Sequence, residues 1–155
     1  MQVEKDFEEF VKLLNESKVR YLIVGAYAVG FHAEPRNTGD IDIWVDSTPL
    51  NADKIIAVLH NFGFSTLGIT KEDILNPDSV IQLGYPPVRI DMLTSLTGLD
   101  FDIAFKARVD ANFGTTTVSL ISLQDLIKNK EATGRTRDLA DAELLRKYLK
   151  QDNQQ

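Results

Sequence analysis

Val3, Phe7, Phe10, Val11 and Leu14 recur at helical spacing with charged and polar residues between them, which predicts an amphipathic helix over residues 3–16. The pattern then changes. Residues 20–25, RYLIVG, form an apolar run that ends in glycine and predict a strand. AYAVGFH follows as a short helix, stopped before Pro35. DIDIWVD, residues 40–46, alternates with a period of two. That alternation sends Ile41, Ile43 and Val45 to one face and Asp40, Asp42 and Trp44 to the other.

Thr48-Pro49 reads as an N-cap followed by proline in the first helical position, opening a helix to about Asn61 that Gly63 closes. FSTLGI predicts a further strand, and KEDIL one helical turn capped by Thr70. Residues 79–83 and 88–94 predict two strands joined as a hairpin by Gly84-Tyr85-Pro86-Pro87. A short helix is expected around 99–107 and a β-branched strand over 115–121. Ser122 with Asp125 resembles a capping box and opens a helix through about Thr133, which Gly134 interrupts. A last helix over 137–150 aligns Leu139, Ala142, Leu145 and Leu149, and residues 151–155, QDNQQ, read as a frayed tail. With no repeat or linker, the reading is a single α/β (α+β) domain over 1–150: a mixed sheet of about five strands flanked by helices, two of them C-terminal.

Charge and composition narrow the function classes. Among the 155 residues there is no cysteine, which excludes disulfides, thiolate metal sites and cysteine nucleophiles. No run of about 18 apolar residues predicts a membrane span, and MQVEKDFEEF is too charged for a signal peptide, so a cytoplasmic location is expected. The net charge of -6 is unevenly spread: residues 1–127 carry 10 Lys/Arg against 18 Asp/Glu, whereas 128–150 carry 7 against 4. An acidic body disfavours broad non-specific nucleic-acid binding, yet the basic strip suits a phosphate-bearing ligand as well as a solvated helix face.

The candidate chemistry lies in GAYAVGFHAEPRNTGDIDIWVD, from Gly25 to Asp46. A glycine turn between strand and helix can meet phosphate through backbone N–H groups. G-x-x-x-x-G is present, but Phe31 and His32 stand where a P-loop needs Lys and Ser/Thr, and the dinucleotide motif G-x-G is absent. Asp40 and Asp42, at i and i+2 of a strand, share a face roughly 6.5–7 Å apart. Aspartate is a poor strand residue, and two such carboxylates repel unless a cation sits between them. A divalent ion with oxygen ligands fits, and so does a solvent-facing edge that needs no ion. Asp91 is a third acid inside an apolar strand, able either to complete a metal site or to pair with Arg89 or Arg36. Arg36 suits a phosphate or a carboxylate clamp, Thr38 a turn, and His32 and Trp44 read as structural. Asp138 and Asp141 are expected to pair with neighbouring Arg or Lys.

The order of these features resembles the nucleotidyltransferase superfamily, the polymerase beta-like fold. Its pattern is h-G-G/S, then D-h-D/E, then a separate h-D/E-h, met here by Gly25-Ala26, Asp40-Ile41-Asp42 and Asp91. Two longer stretches, A-x-x-x-H-x-x-x-R-x-T-x-D-I-D ending at Asp42 and K-x-x-x-G-R-x-x-D-x-x-D-x-x-x-L from Lys130 to Leu145, are similar to small bacterial AbiEii-related nucleotidyltransferase-like proteins. The resemblance implies that Asp40, Asp42 and Asp91 bind Mg²⁺ (or Mn²⁺) and carry catalysis. It implies that Gly25, Ala26, Arg36, Thr38, Lys130 and Arg135 meet the nucleotide. The implied activity transfers a nucleoside monophosphate from an NTP to an acceptor hydroxyl on RNA, protein or a small molecule, without a membrane. A partner protein or homodimer could complete the site, and the alternative is a non-catalytic nucleotide-binding module of a toxin–antitoxin pair. Ala26 departs from the usual Ser or Gly and lacks a hydroxyl for phosphate.

Overall fold

A computed structural model describes residues 4–36, 39–85 and 87–153. Val3, Thr38, Pro86, Gln154 and Gln155, each part of an expectation above, lie outside the described residues.

Helix α1 (Lys5–Glu16) buries Phe7, Phe10, Val11 and Leu14, the face its periodicity marks. Each such side chain contributes about 1.5–3 kcal/mol on burial. Strand β1 (Tyr21–Val24) is buried along its whole length, which explains its unbroken apolar run. It passes directly into α2 (Gly25–His32). Strand β2 (Asp40–Val45) follows, and α3 (Pro49–Phe62) begins where Thr48 accepts a hydrogen bond from Asn51 N and ends at Gly63. Buried Asn51 ties this corner together: it accepts from Arg20 N at 2.8 Å and donates to Arg20 O and Asp46 O at 3.0 and 2.8 Å.

Residues 65–67 form a 3₁₀ turn and not the strand that FSTLGI predicts. Gly63 and Gly68 bracket it with φ of +96° and +69°, left-handed values that break an extended run at both ends. A capping box between Thr70 and Asp73 then opens α4 (Lys71–Leu75). Strands β3 (Val80–Tyr85) and β4 (Val88–Leu93) make the expected antiparallel hairpin, and α5 (Phe101–Lys106) starts at the Asp100 cap. Strand β5 (Val109–Phe113) is absent from the sequence expectations. It pairs with β6 (Thr116–Leu120) as a second hairpin and makes the sheet six-stranded. Ser122 accepts from Asp125 N to open α6 (Leu123–Thr133), and α7 (Thr136–Asn153) follows Gly134.

The strand order is β3-β4-β2-β1-β6-β5. β2 runs parallel to β4 and antiparallel to β1, while β1 runs parallel to β6. Helices α6 and α7 pack together and against α2. The register places Val24 opposite Asp42 and Asp42 opposite Asp91. One row across the centre of the sheet therefore joins the end of β1 to two of the three acids.

Candidate active site

The aspartate face of β2 changes character along its length. At one end Trp44 is 2% exposed and meets Phe101 of α5 edge-on at 5.1 Å, so it is a packing residue. At the other end Asp40 and Asp42 are only partly buried. One carboxylate oxygen from each of Asp40, Asp42 and Asp91 lies within 4.8 Å of the others. The parallel pairing of β2 with β4 creates this cluster, because it aligns Asp42 with Asp91 and turns both to one face. Burial, then the charges of Asp40 and Asp91, push the Asp42 carboxyl up to about 6, while Lys130 and Arg89 pull it down. Three oxygen donors at this spacing, with mutual repulsion in need of a cation, fit a hard divalent ion.

The expected pairing of Asp91 with Arg89 is present. Asp91 stands in the cluster and also accepts two bonds from Arg89, at 2.9 Å each, one on each oxygen. This bidentate pair fixes the carboxylate plane, and each oxygen keeps a further lone pair for a ligand. Asp40 also has a partner.

Gly25 explains the glycine turn. Its φ is +67°, and a Cβ there would stand 2.0 Å from Asp42 Oδ2. The turn is therefore glycine for two reasons, backbone conformation and the approach of the acid itself. The first N–H groups of α2, with no side-chain cap, open beside the carboxylates.

Facing the acids is a cavity of about 350 Å³ whose wall carries Arg36, Lys130, Arg135 and Arg137 together with Gly25 and Ala26. Two buried aspartates of α7 hold three of these cations. Asp141 accepts from Arg36 at 2.7 and 3.3 Å and lies 3.6 Å from Lys130 Nζ. Asp138 accepts from Lys130 at 3.1 Å, Arg135 at 3.0 Å and the Thr133 hydroxyl at 2.6 Å. Burial pushes the Asp138 carboxyl up, but the Thr133 hydroxyl and then Lys130 and Arg135 outweigh it and hold it below the usual range. Arg36 thus serves as a carboxylate clamp and lines the cavity too. It also joins the two longer sequence motifs, since Arg36 belongs to the first and Asp141 to the second.

His32 Nε2 lies 2.7 Å from Ile121 O, a structural contact. Among the nucleotide-binding expectations, Gly25, Ala26, Arg36, Lys130 and Arg135 meet in one cavity, and Thr38 lies outside the described residues. Arg137 of the basic strip lines the same cavity, and Thr133 holds Asp138 beside it. Nothing in the sequence marks Thr133.

No protein-family model matches the chain, and no curated protein matches it in sequence. Among solved structures it is similar to the lincosamide antibiotic adenylyltransferase LnuA, in the crystal structure with lincomycin bound. The TM-score is 0.53 at 15% identity, over 92% of this chain and 96% of that one. At this identity the likeness concerns architecture: the chain has a nucleotidyltransferase fold, as the ordered motifs imply.

Proposed function

We propose that the protein is a metal-dependent nucleotidyltransferase that moves a nucleoside monophosphate from an NTP to an acceptor hydroxyl and releases pyrophosphate. The observation that carries this reading is the meeting of Asp40, Asp42 and Asp91 within 4.8 Å, beside a glycine turn and a cation-lined cavity. Asp40, Asp42 and Asp91 would hold Mg²⁺ or Mn²⁺, which when bound neutralises phosphate charge and lowers the pKa of a bound hydroxyl. The N–H groups at Gly25 and Ala26 meet phosphate oxygens at the α2 N-terminus. Lys130, Arg36 and Arg135, aimed by Asp138 and Asp141, balance the triphosphate charge together with Arg137. Asp91, its plane set by Arg89, takes up the acceptor proton as the hydroxyl attacks.

Adenylyl transfer is the first case to test, since the structural neighbour is an adenylyltransferase. That neighbour acts on a lincosamide antibiotic, a small-molecule acceptor, whereas the Arg36–Asp141 link between the two AbiEii-like motifs supports that kinship and, with it, a toxin–antitoxin setting. Asp42→Asn removes a central ligand while keeping the side-chain shape, and abolishes Mg²⁺-dependent label transfer with the fold intact by circular dichroism. Full activity in that variant contradicts the mechanism. One observation favours a second reading, a nucleotide-binding module without turnover: Arg89 already engages both oxygens of Asp91. That reading expects NTP binding in calorimetry and no transfer to any acceptor.

A further inference from the structure

Arg89 belongs to the acid cluster itself. It lies two residues before Asp91 in β4, so both side chains leave the strand on one face. The parallel register sets Arg89 opposite Asp40 and Asp91 opposite Asp42. Three acids and a cation therefore share one block of the sheet. The guanidinium donates through Nε and Nη2 to the two oxygens of Asp91, at 2.9 Å each. The negative charges of Asp40 and Asp42 also favour its charge. The Asp91 side chain is only 9% exposed, and a carboxylate so buried needs a positive partner even before any ligand arrives.

We propose that Arg89 is a resident cation standing in for one ion of a two-ion site, so that this chain takes a single divalent ion. The inference rests on the nucleotidyltransferase reading above and adds to it the number of ions the site holds. Ligand supply supports it. Paired ions in such sites stand about 3.5–4 Å apart and need carboxylate oxygens for both. The cluster has three carboxylates, and Asp91 already gives a lone pair on each oxygen to Arg89. The lone pairs that remain suit one ion shared among the three acids. Charge supports it as well. A guanidinium stays protonated in a protein, so its charge is permanent. Three carboxylates and one guanidinium leave two negative charges, which one divalent ion neutralises. A second ion on Asp91 would face the guanidinium as a like charge on the same carboxylate. A purely structural Arg89 would orient Asp91 and leave the number of ions unchanged, which separates the two roles by experiment.

The test saturates the full chain with Mn²⁺ and α,β-methylene-ATP, whose α–β bridge cannot be cleaved. Equilibrium dialysis counts the bound ions per chain, and low-temperature electron paramagnetic resonance separates a lone Mn²⁺ from a spin-coupled pair. The wild-type protein is expected to hold one ion with an uncoupled spectrum. Arg89→Gln, which removes the charge, is expected to hold two ions and to show the coupled pair. Arg89→Lys keeps the charge and is expected to hold one. Circular dichroism checks that each variant is folded; if Arg89→Gln is not, the wild-type and Arg89→Lys spectra decide. A coupled pair in the wild type or in Arg89→Lys overturns the inference and leaves the nucleotidyltransferase reading standing. A lone ion in folded Arg89→Gln overturns it too, since Arg89 is then structural only. Absence of bound Mn²⁺ from the wild type and from every variant sinks the nucleotidyltransferase reading and this inference with it.

Discussion

Replacing Gly25 by alanine separates two effects that the turn combines. The residue holds φ of +67°, and the added methyl would lie 2.0 Å from Asp42 Oδ2 and 2.9 Å from its Cγ. The conformational part alone costs about 1–2 kcal/mol. Relieving the overlap displaces a partly buried carboxylate and adds about 1–3 kcal/mol, the usual range for overpacking. Gly68 supplies the control, because its φ is +69° and nothing lies within 4 Å of an added Cβ. Gly68→Ala therefore carries the conformational cost without the contact. Urea unfolding of both variants is the assay, and at a slope of about 2 kcal/mol/M an extra 2 kcal/mol moves the midpoint by about 1 M. Gly25→Ala is expected to unfold well below Gly68→Ala and to lose Mg²⁺-dependent NTP binding, while Gly68→Ala binds as wild type. Equal midpoints with intact binding in Gly25→Ala would refute the role given to this contact.

Other consequences concern charge and buried polar groups. The Asp42 carboxyl is pushed up to about 6, from an ordinary 3.8. Its folded state therefore holds the proton more tightly than the unfolded chain, and metal-free stability falls as pH rises from about 4 through 6, by up to about 3 kcal/mol. Asp42→Asn flattens that fall and is the more stable protein at pH ~8 in chelator, as denaturant titration at several pH values will show. Asp141→Asn weakens the hold on Arg36 and Lys130, with an expected loss of about 1–3 kcal/mol and a raised KM for NTP in initial-rate kinetics. Asn51→Leu strands Arg20 N, Arg20 O and Asp46 O. It costs about 2–3 kcal/mol in thermal unfolding and leaves the rate per folded molecule unchanged, because this corner lies outside the basic cavity and the acid cluster.

The sequence was most legible where one residue type has few uses. The spacing of Phe7, Phe10, Val11 and Leu14 has one helical reading, and the caps at Thr48, Thr70 and Ser122 all form. Asp40 and Asp42 were visible because strands disfavour aspartate, and Asp91 because its neighbours are apolar. Strand β5 was hidden, since Val109, Asp110 and Asn112 are exposed and two of them are poor strand formers; its pairing with β6 holds it in place. FSTLGI looked extended because strand propensity ignores the backbone conformations of Gly63 and Gly68. The Arg89–Asp91 pair and the bank of cations on Asp138 and Asp141 depend on register and helix docking, which residue spacing along one segment does not encode. The same holds for the contact of Gly25 with Asp42, which only the β1–β2 register creates.

The most direct measurement of the central claim follows two labels of one ATP. With Mg²⁺ and an acceptor pool, α-phosphate label is expected to move to the acceptor, and γ-phosphate label to leave as pyrophosphate. Asp42→Asn should show neither. Transfer of the γ-label, or release of orthophosphate without any α-labelled product, would contradict the account.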